Sequence, residues 1–225
     1  MKYTALIFLF LLSSCICDLD DLSSVETLEY QSNANVGIFK TQTVEQFKHS
    51  TRFRDRFKEI YCTDNEIMEV HLFGKGLLYD LGLDAKDWNK LGGWYFNNYK
   101  PHGETIMIGF RSNVKRGVTE YTFYYHNIEN RDDYKAVGSV PGYVDESNIL
   151  TIKWDDNLNA STYTKTTLEV LDAKRIALKL EGVEGNAIQD TVSFPEVRRT
   201  FTRGNLYHGG NMPAQDKITA VKAIF

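Results

Sequence analysis

The sequence predicts an all-β fold, an antiparallel β-sandwich of jelly-roll, concanavalin-like type. Three observations carry that expectation. Short runs of alternating apolar and polar residues recur from Glu66 to the end of the chain. Clusters of Gly, Asn, Asp and Pro separate them. Helical spacing of apolar residues occurs in one early stretch only. Period-two alternation puts every second side chain on one face, so runs of this kind at this density build sheets with one face on a core.

Taken in chain order, the helical stretch comes first. Between Thr43 and Tyr61, Val44, Phe47, Phe53, Phe57 and Ile60 sit among charges at roughly helical spacing, which reads as one short helix or a helix with an edge strand. Glu66 to Phe73 mixes β-formers with charge. Glu104 to Arg111 sets Ile106, Ile108 and Phe110 against Thr105, Met107, Gly109 and Arg111. Glu120 to Asn127 is rich in Tyr, Phe and Thr, and Asn148 to Asp155 sets Leu150, Ile152 and Trp154 against Thr151 and Lys153. Tyr163 to Leu171 and Arg175 to Leu180 flank a hairpin turn at Asp172-Ala173-Lys174, and Thr219 to Phe225 closes the chain. Between these runs lie Gly74-Lys75-Gly76, Asn113 to Gly117, Pro141-Gly142, Asp155-Asp156-Asn157 and Gly182 to Asn186, the residue types that tight turns need.

The N-terminus reads as a targeting segment. Lys2 precedes an uncharged, mostly apolar run from Tyr3 to Leu12, which has signal-peptide length and is far short of the roughly 20 residues that span a bilayer. Leu12-Ser13-Ser14-Cys15 fits a bacterial lipoprotein signal with the lipid on Cys15; an ordinary cut near Cys17-Asp18 is the alternative. The expected organisation is therefore a signal peptide at 1–17, an acidic tether at 18–35 and one sandwich domain at 36–225. The protein is expected outside the cytoplasm, secreted or lipid-anchored on an outer surface, with no transmembrane span.

A net charge of −4 without a basic stripe argues against nucleic acid as a partner. Cys17 and Cys62 either pair across the N-terminal arm or leave Cys62 a buried thiol. No metal motif is present, and no cofactor is expected. Structural calcium is the one ion the sequence leaves room for, at Asp155, Asp156, Asn157 and Asn159, whose spacing is not that of an EF-hand. Asn159-Ala160-Ser161 is a glycosylation sequon that has meaning only in a eukaryotic source.

Two segments carry a resemblance. Asp87-Trp88-Asn89-Lys90-Leu91-Gly92-Gly93-Trp94, followed by Ile108 to Arg111 and the tyrosine-rich run Tyr121 to His126, is one; His208-Gly209-Gly210-Asn211-Met212-Pro213-Ala214 is the other. Together they resemble a group of uncharacterised exported bacterial proteins with a concanavalin-like β-sandwich, over Asp87 to Phe225. The resemblance implies a fold and no reaction. A histidine that often follows the last motif in that group is replaced here by Gln215 and Asp216.

Four constellations are candidates for chemistry. On an open sheet face, Arg111, Tyr124 and His126 suit elimination on an acidic sugar: the guanidinium neutralises the carboxylate while His or Tyr moves protons. Lys153 is a further member of that face. An exposed sheet surface held by cross-strand contacts is the plainer reading. An aromatic loop offers Trp94, Tyr95, Asn98, Tyr99 and His102, with Arg111, as sugar-stacking and hydroxyl-binding groups. The plainer reading makes Trp88 and Trp94 packing residues. Glu66 and Glu69 face opposite sides of one strand, so they cannot act on one glycosidic bond; Glu69 shares its face with His71. His208 to Asn211 is a glycine-rich turn beside polar groups, able to approach a ligand or simply to turn.

The sequence thus reads as an exported carbohydrate-binding β-sandwich with a polysaccharide or glycan partner. A polysaccharide lyase on the same fold is the alternative, and a protein-interaction module without a sugar ligand is a third. The balance leans away from an enzyme.

Overall fold

An apolar face on a sheet needs a second layer to cover it, and the chain supplies two sheets that cover each other. The computed structural model describes residues 38–57, 60–62, 65–79, 87–96, 105–126, 149–155, 160–182, 185–194, 200–209 and 211–225. They form twelve strands: β1 (Ile38–Val44), β2 (Ile60–Cys62), β3 (Asn65–Phe73), β4 (Asn89–Tyr95), β5 (Thr105–Asn113), β6 (Val118–His126), β7 (Leu150–Lys153), β8 (Ser161–Val170), β9 (Arg175–Gly182), β10 (Ala187–Ser193), β11 (Thr200–Gly204) and β12 (Ile218–Ile224). The first sheet runs β1-β12-β3-β8-β9-β10 and the second β2-β11-β4-β5-β6-β7. Every pairing is antiparallel. The protein is an all-β, antiparallel β-sandwich.

The alternation read in the sequence sets which side chains meet between the sheets. Met68, Val70 and Leu72 of β3, Ile176, Leu178 and Leu180 of β9, and Ile218, Ala220 and Ile224 of β12 face Ile106, Ile108 and Phe110 of β5 and Tyr121, Phe123 and Tyr125 of β6. Fully burying an aliphatic or aromatic side chain of this size contributes about 1.5–3 kcal/mol. The Asp172 turn is as expected: its carboxylate accepts the backbone N–H groups of Lys174 and Arg175, both at 2.8 Å, and so fixes the β8–β9 hairpin.

The stretch from Thr43 to Tyr61 is not an amphipathic helix. It holds the end of β1, one 3-10 turn at Phe53–Asp55 and the start of β2. Its main chain bonds across to a late loop instead: the N–H of Phe47 donates to the carbonyl of Ala214, and that of His208 to the carbonyl of His49. The helically spaced phenylalanines do not line up on the core; Phe57 is buried, whereas Phe47 and Phe53 are exposed. The leader, the tether, Pro141-Gly142 and the ends of three expected strands at Glu104, Asn127 and Asn148 lie outside the described residues. Among the described residues no helix is long and apolar enough to cross a membrane.

Candidate functional site

The strand pairing settles which expected site residues share a face. Along β5 and β6, Arg111 is opposite Glu120, Met107 opposite Tyr124, and Thr105 opposite His126. Positions 111, 124 and 126 therefore lie on the outer face of the second sheet, away from Tyr121, Phe123 and Tyr125. They do not meet. His126 is six residues along β6 from Glu120, about 20 Å at strand spacing, and Tyr124 is four residues away, about 13 Å. Lys153 pairs with Val118, beyond Arg111 at the end away from His126.

Arg111 is also occupied. Its Nε donates to Glu120 at 2.7 Å, and its guanidinium lies 4.3 Å from the ring centroid of Trp88. Trp88 in turn covers Gly109, where a β-carbon would come within 3.2 Å of its side chain. This face is not an open platform at its centre: Thr105, Met107 and Thr122 are buried.

Trp94 is not a stacking surface. It is 0% exposed, level with Ile106 on the core side, and its indole N–H donates to Glu66 at 2.8 Å. Glu66 reaches it from the facing sheet and also pairs with Arg203 of β11 at 2.5 Å. A tryptophan that spans the layers and satisfies its N–H on a buried carboxylate is a packing residue. Tyr95, its neighbour, turns to the outer face opposite Thr105 and is half-buried; burial pushes its phenol up to about 12. Asn98, Tyr99 and His102 lie outside the described residues, as do Asp156, Asn157 and Asn159 of the expected calcium cluster. Among the described residues no group of three or more His, Cys, Asp or Glu side chains is set to hold a metal ion.

The two motif segments meet. Tyr207 and Lys90 exchange backbone hydrogen bonds, both 2.8 Å, and the N–H of Gly209 donates to Asn89 Oδ1 at 2.7 Å. Asn89 bonds Tyr79, whose ring lies 5.2 Å from that of His208 in an edge-on contact. His208 Nδ1 donates to the carbonyl of Met212, leaving a bare Nε2 without a hydrogen-bond partner among the described residues. Burial holds this imidazole down at about 4, despite the Met212 hydrogen bond, so it is neutral at physiological pH. The glycine-rich turn is thus a latch between β4 and the chain after β11.

The exposed constellation lies on the outer face of the first sheet. His71 of β3 is opposite Tyr163 of β8, ring centroids 4.7 Å apart. The next row runs Glu69, Lys165 and Glu181 across β3, β8 and β9, and Lys179 donates to Glu181 at 2.6 Å. Glu69, His71, Tyr163 and Lys165 are all half-buried, and Val221, the β12 partner of His71, is exposed beside them, whereas Ala223 beside Glu69 is buried. Burial first, then the charge and hydrogen bond of Glu69 and the charge of Glu181, push the Tyr163 phenol up to about 12. Burial lowers His71, with Glu69 opposing the shift, which favours the uncharged ring. Chemically the face offers two adjacent rings for stacking and alternating carboxylates and ammoniums for hydroxyl groups. The sequence displayed Glu69 and His71 on one face; it did not show that Tyr163 and Lys165 stand beside them, because strand partners are set by tertiary register.

No protein-family model and no curated protein matches this chain. Solved structures similar in fold include the alginate lyase Aly36B (7% identity, 87% of this chain and 81% of that one, TM-score 0.45). Porphyranase B from Zobellia galactanivorans is another (9%, 85% and 76%, TM-score 0.38). A lectin from Bauhinia forficata is a third (8%, 87% and 94%, TM-score 0.37). Likeness at this level speaks to neither ligand nor reaction.

Proposed function

We propose that this is an exported carbohydrate-binding protein whose ligand lies across the outer face of the first sheet, at His71, Tyr163, Glu69 and Lys165. The observation that carries the reading is the His71–Tyr163 ring pair, half-buried on a solvent-facing sheet and bordered by a row of alternating charges. Apolar ring faces flanked by a few polar groups are what a saccharide site needs. Export rests on Lys2, the run Tyr3 to Leu12 and Cys15. Tyr95, on the outer face of the second sheet, lies across the sandwich from this site and is not part of it.

The test is retention of the full chain on gels containing neutral or acidic polysaccharides, with ultraviolet absorbance followed in parallel. Tyr163→Ala is expected to weaken retention on the preferred glycan about tenfold, the loss of one stacking aromatic, and His71→Ala to act in the same direction. Trp88→Phe, away from this face, serves as the control. Retention by no glycan sinks the reading. A rise in absorbance from unsaturated uronate replaces binding with elimination.

A further inference from the structure

At one end of the sandwich three loops are tied together by their main chains. The N–H of Phe47 donates to Ala214 and that of Ala214 to Lys48; the N–H of Gly76 donates to Lys217. Gln46 adds a side-chain bond to the carbonyl of Gln215 at 2.9 Å. Each loop then directs one large apolar side chain outward: Phe47 is 64% exposed, and Leu78 and Met212 are each 43% exposed. Phe47 does so from a left-handed backbone, φ 59, a conformation that costs a non-glycine residue about 1–2 kcal/mol. Strain held by surrounding hydrogen bonds to present an aromatic ring to water is a feature of working surfaces.

The same loops carry Lys48, Lys75 and Lys217, all exposed and none in an ion pair among the described residues. Of the described acids on these loops, Glu45 is balanced by Arg52 at 2.8 Å; Asp216 accepts the backbone N–H of Lys217 at 2.7 Å and keeps its charge, so the three lysines outnumber it. Two properties choose between kinds of partner. Protein interfaces are depleted in lysine and need a broad complementary area, of order 800 Å² per partner. Three exposed apolar side chains, on loops that also carry three exposed lysines, suit a surface that is soft, apolar beneath and anionic on top. Each lysine near such a surface contributes about 1 kcal/mol, and its stem reaches over apolar tips while the ammonium stays at headgroup level.

We infer that this end of the sandwich docks on an anionic lipid bilayer, with Phe47, Leu78 and Met212 entering the headgroup layer and Lys48, Lys75 and Lys217 meeting lipid charge. The inference is independent of the glycan reading, which concerns the outer face of the first sheet.

The test is lysine acylation footprinting of the full chain by mass spectrometry, because it reports on each lysine whatever the N-terminal segment does. The probes are phosphatidylcholine vesicles with or without phosphatidylglycerol, at roughly one lipid in three. With the anionic vesicles, acylation of Lys48, Lys75 and Lys217 is expected to slow about fivefold relative to Lys174, an exposed lysine of the β8–β9 turn, and the protection to fade at high salt. Phe47→Gly, which relieves the φ 59 backbone and so keeps the fold, is expected to lose most of that protection, and Met212→Ala part of it. Equal protection by neutral vesicles overturns the inference, as does no protection of the three lysines over Lys174. Protection that appears on concentrating the chain without lipid overturns it in favour of a protein contact.

Discussion

At the scale of single residues, the most consequential contact is one the sequence gives little sign of. Glu66 is buried between the sheets, pairs with Arg203 at 2.5 Å and accepts the indole N–H of Trp94 at 2.8 Å. Removing one member of a buried ion pair leaves a charge without its compensation, so Glu66→Gln is expected to cost about 3–5 kcal/mol in urea denaturation. The double variant Glu66→Gln/Arg203→Met is expected to cost clearly less than the sum of the two single changes, since it removes both charges; strict additivity would mean that the pair is uncoupled. The same triad explains why Trp94 reads in sequence as an exposed stacking residue. It sits among aromatic and polar neighbours that resemble a loop, and nothing local reveals a carboxylate reaching across from β3, 28 residues earlier. The opposite facing of Glu66 and Glu69, by contrast, is legible, because strand alternation needs no knowledge of partners.

At the scale of elements, β4 shows where backbone geometry and register meet. Its pairing with β5 shifts between Lys90 and Gly92, a bulge that puts Trp94 on the core side and Tyr95 outside. Gly93 follows with φ 143, and a β-carbon there would stand 2.1 Å from the carbonyl oxygen of Ile106. Because the obstruction is backbone in the partner strand, it cannot swing aside. Gly93→Ala is expected to cost more than about 2 kcal/mol and to broaden amide resonances along β4 and β5; a variant as stable as the parent would show that the bulge relaxes freely. Strands with strong alternation, β3, β5, β8, β9 and β12, are legible as elements. The polar edge strand β10 and the glycine-rich β4 are not, since neither displays an apolar face of its own. Register is a further step removed: positions 111 and 126 share one strand parity, yet pairing sets them about 20 Å apart.

At the scale of the whole molecule, the sandwich carries a cost in its own core. Lys222 lies on the inward face of β12, 0% exposed, with its ammonium nitrogen 5.6 Å from the Phe57 ring centroid and no hydrogen-bond partner among the described residues. Gly92 leaves it room; a β-carbon there would stand 3.1 Å from Nζ. Its strand partners, Lys40 on β1 and Val70 on β3, supply no anion. Burial lowers the amine from 10.5 to about 7. Between those values the unfolded chain holds a proton that the folded chain has released, so stability rises with pH across that window. Below about 7 both states are protonated, and the penalty for burying the ammonium stays at its full size. Buried tyrosines, raised by burial, pull the other way only as pH nears 10, because there the unfolded chain loses protons first. Denaturation at pH 7, 8 and 9 is therefore expected to show increasing stability for the parent. Lys222→Met, which fills similar volume without charge, should gain about 1–4 kcal/mol at pH 7 and show a flatter dependence. Parallel pH dependences for parent and variant would mean that the amine stays charged in the fold, held by a group on the same face that takes the place of water.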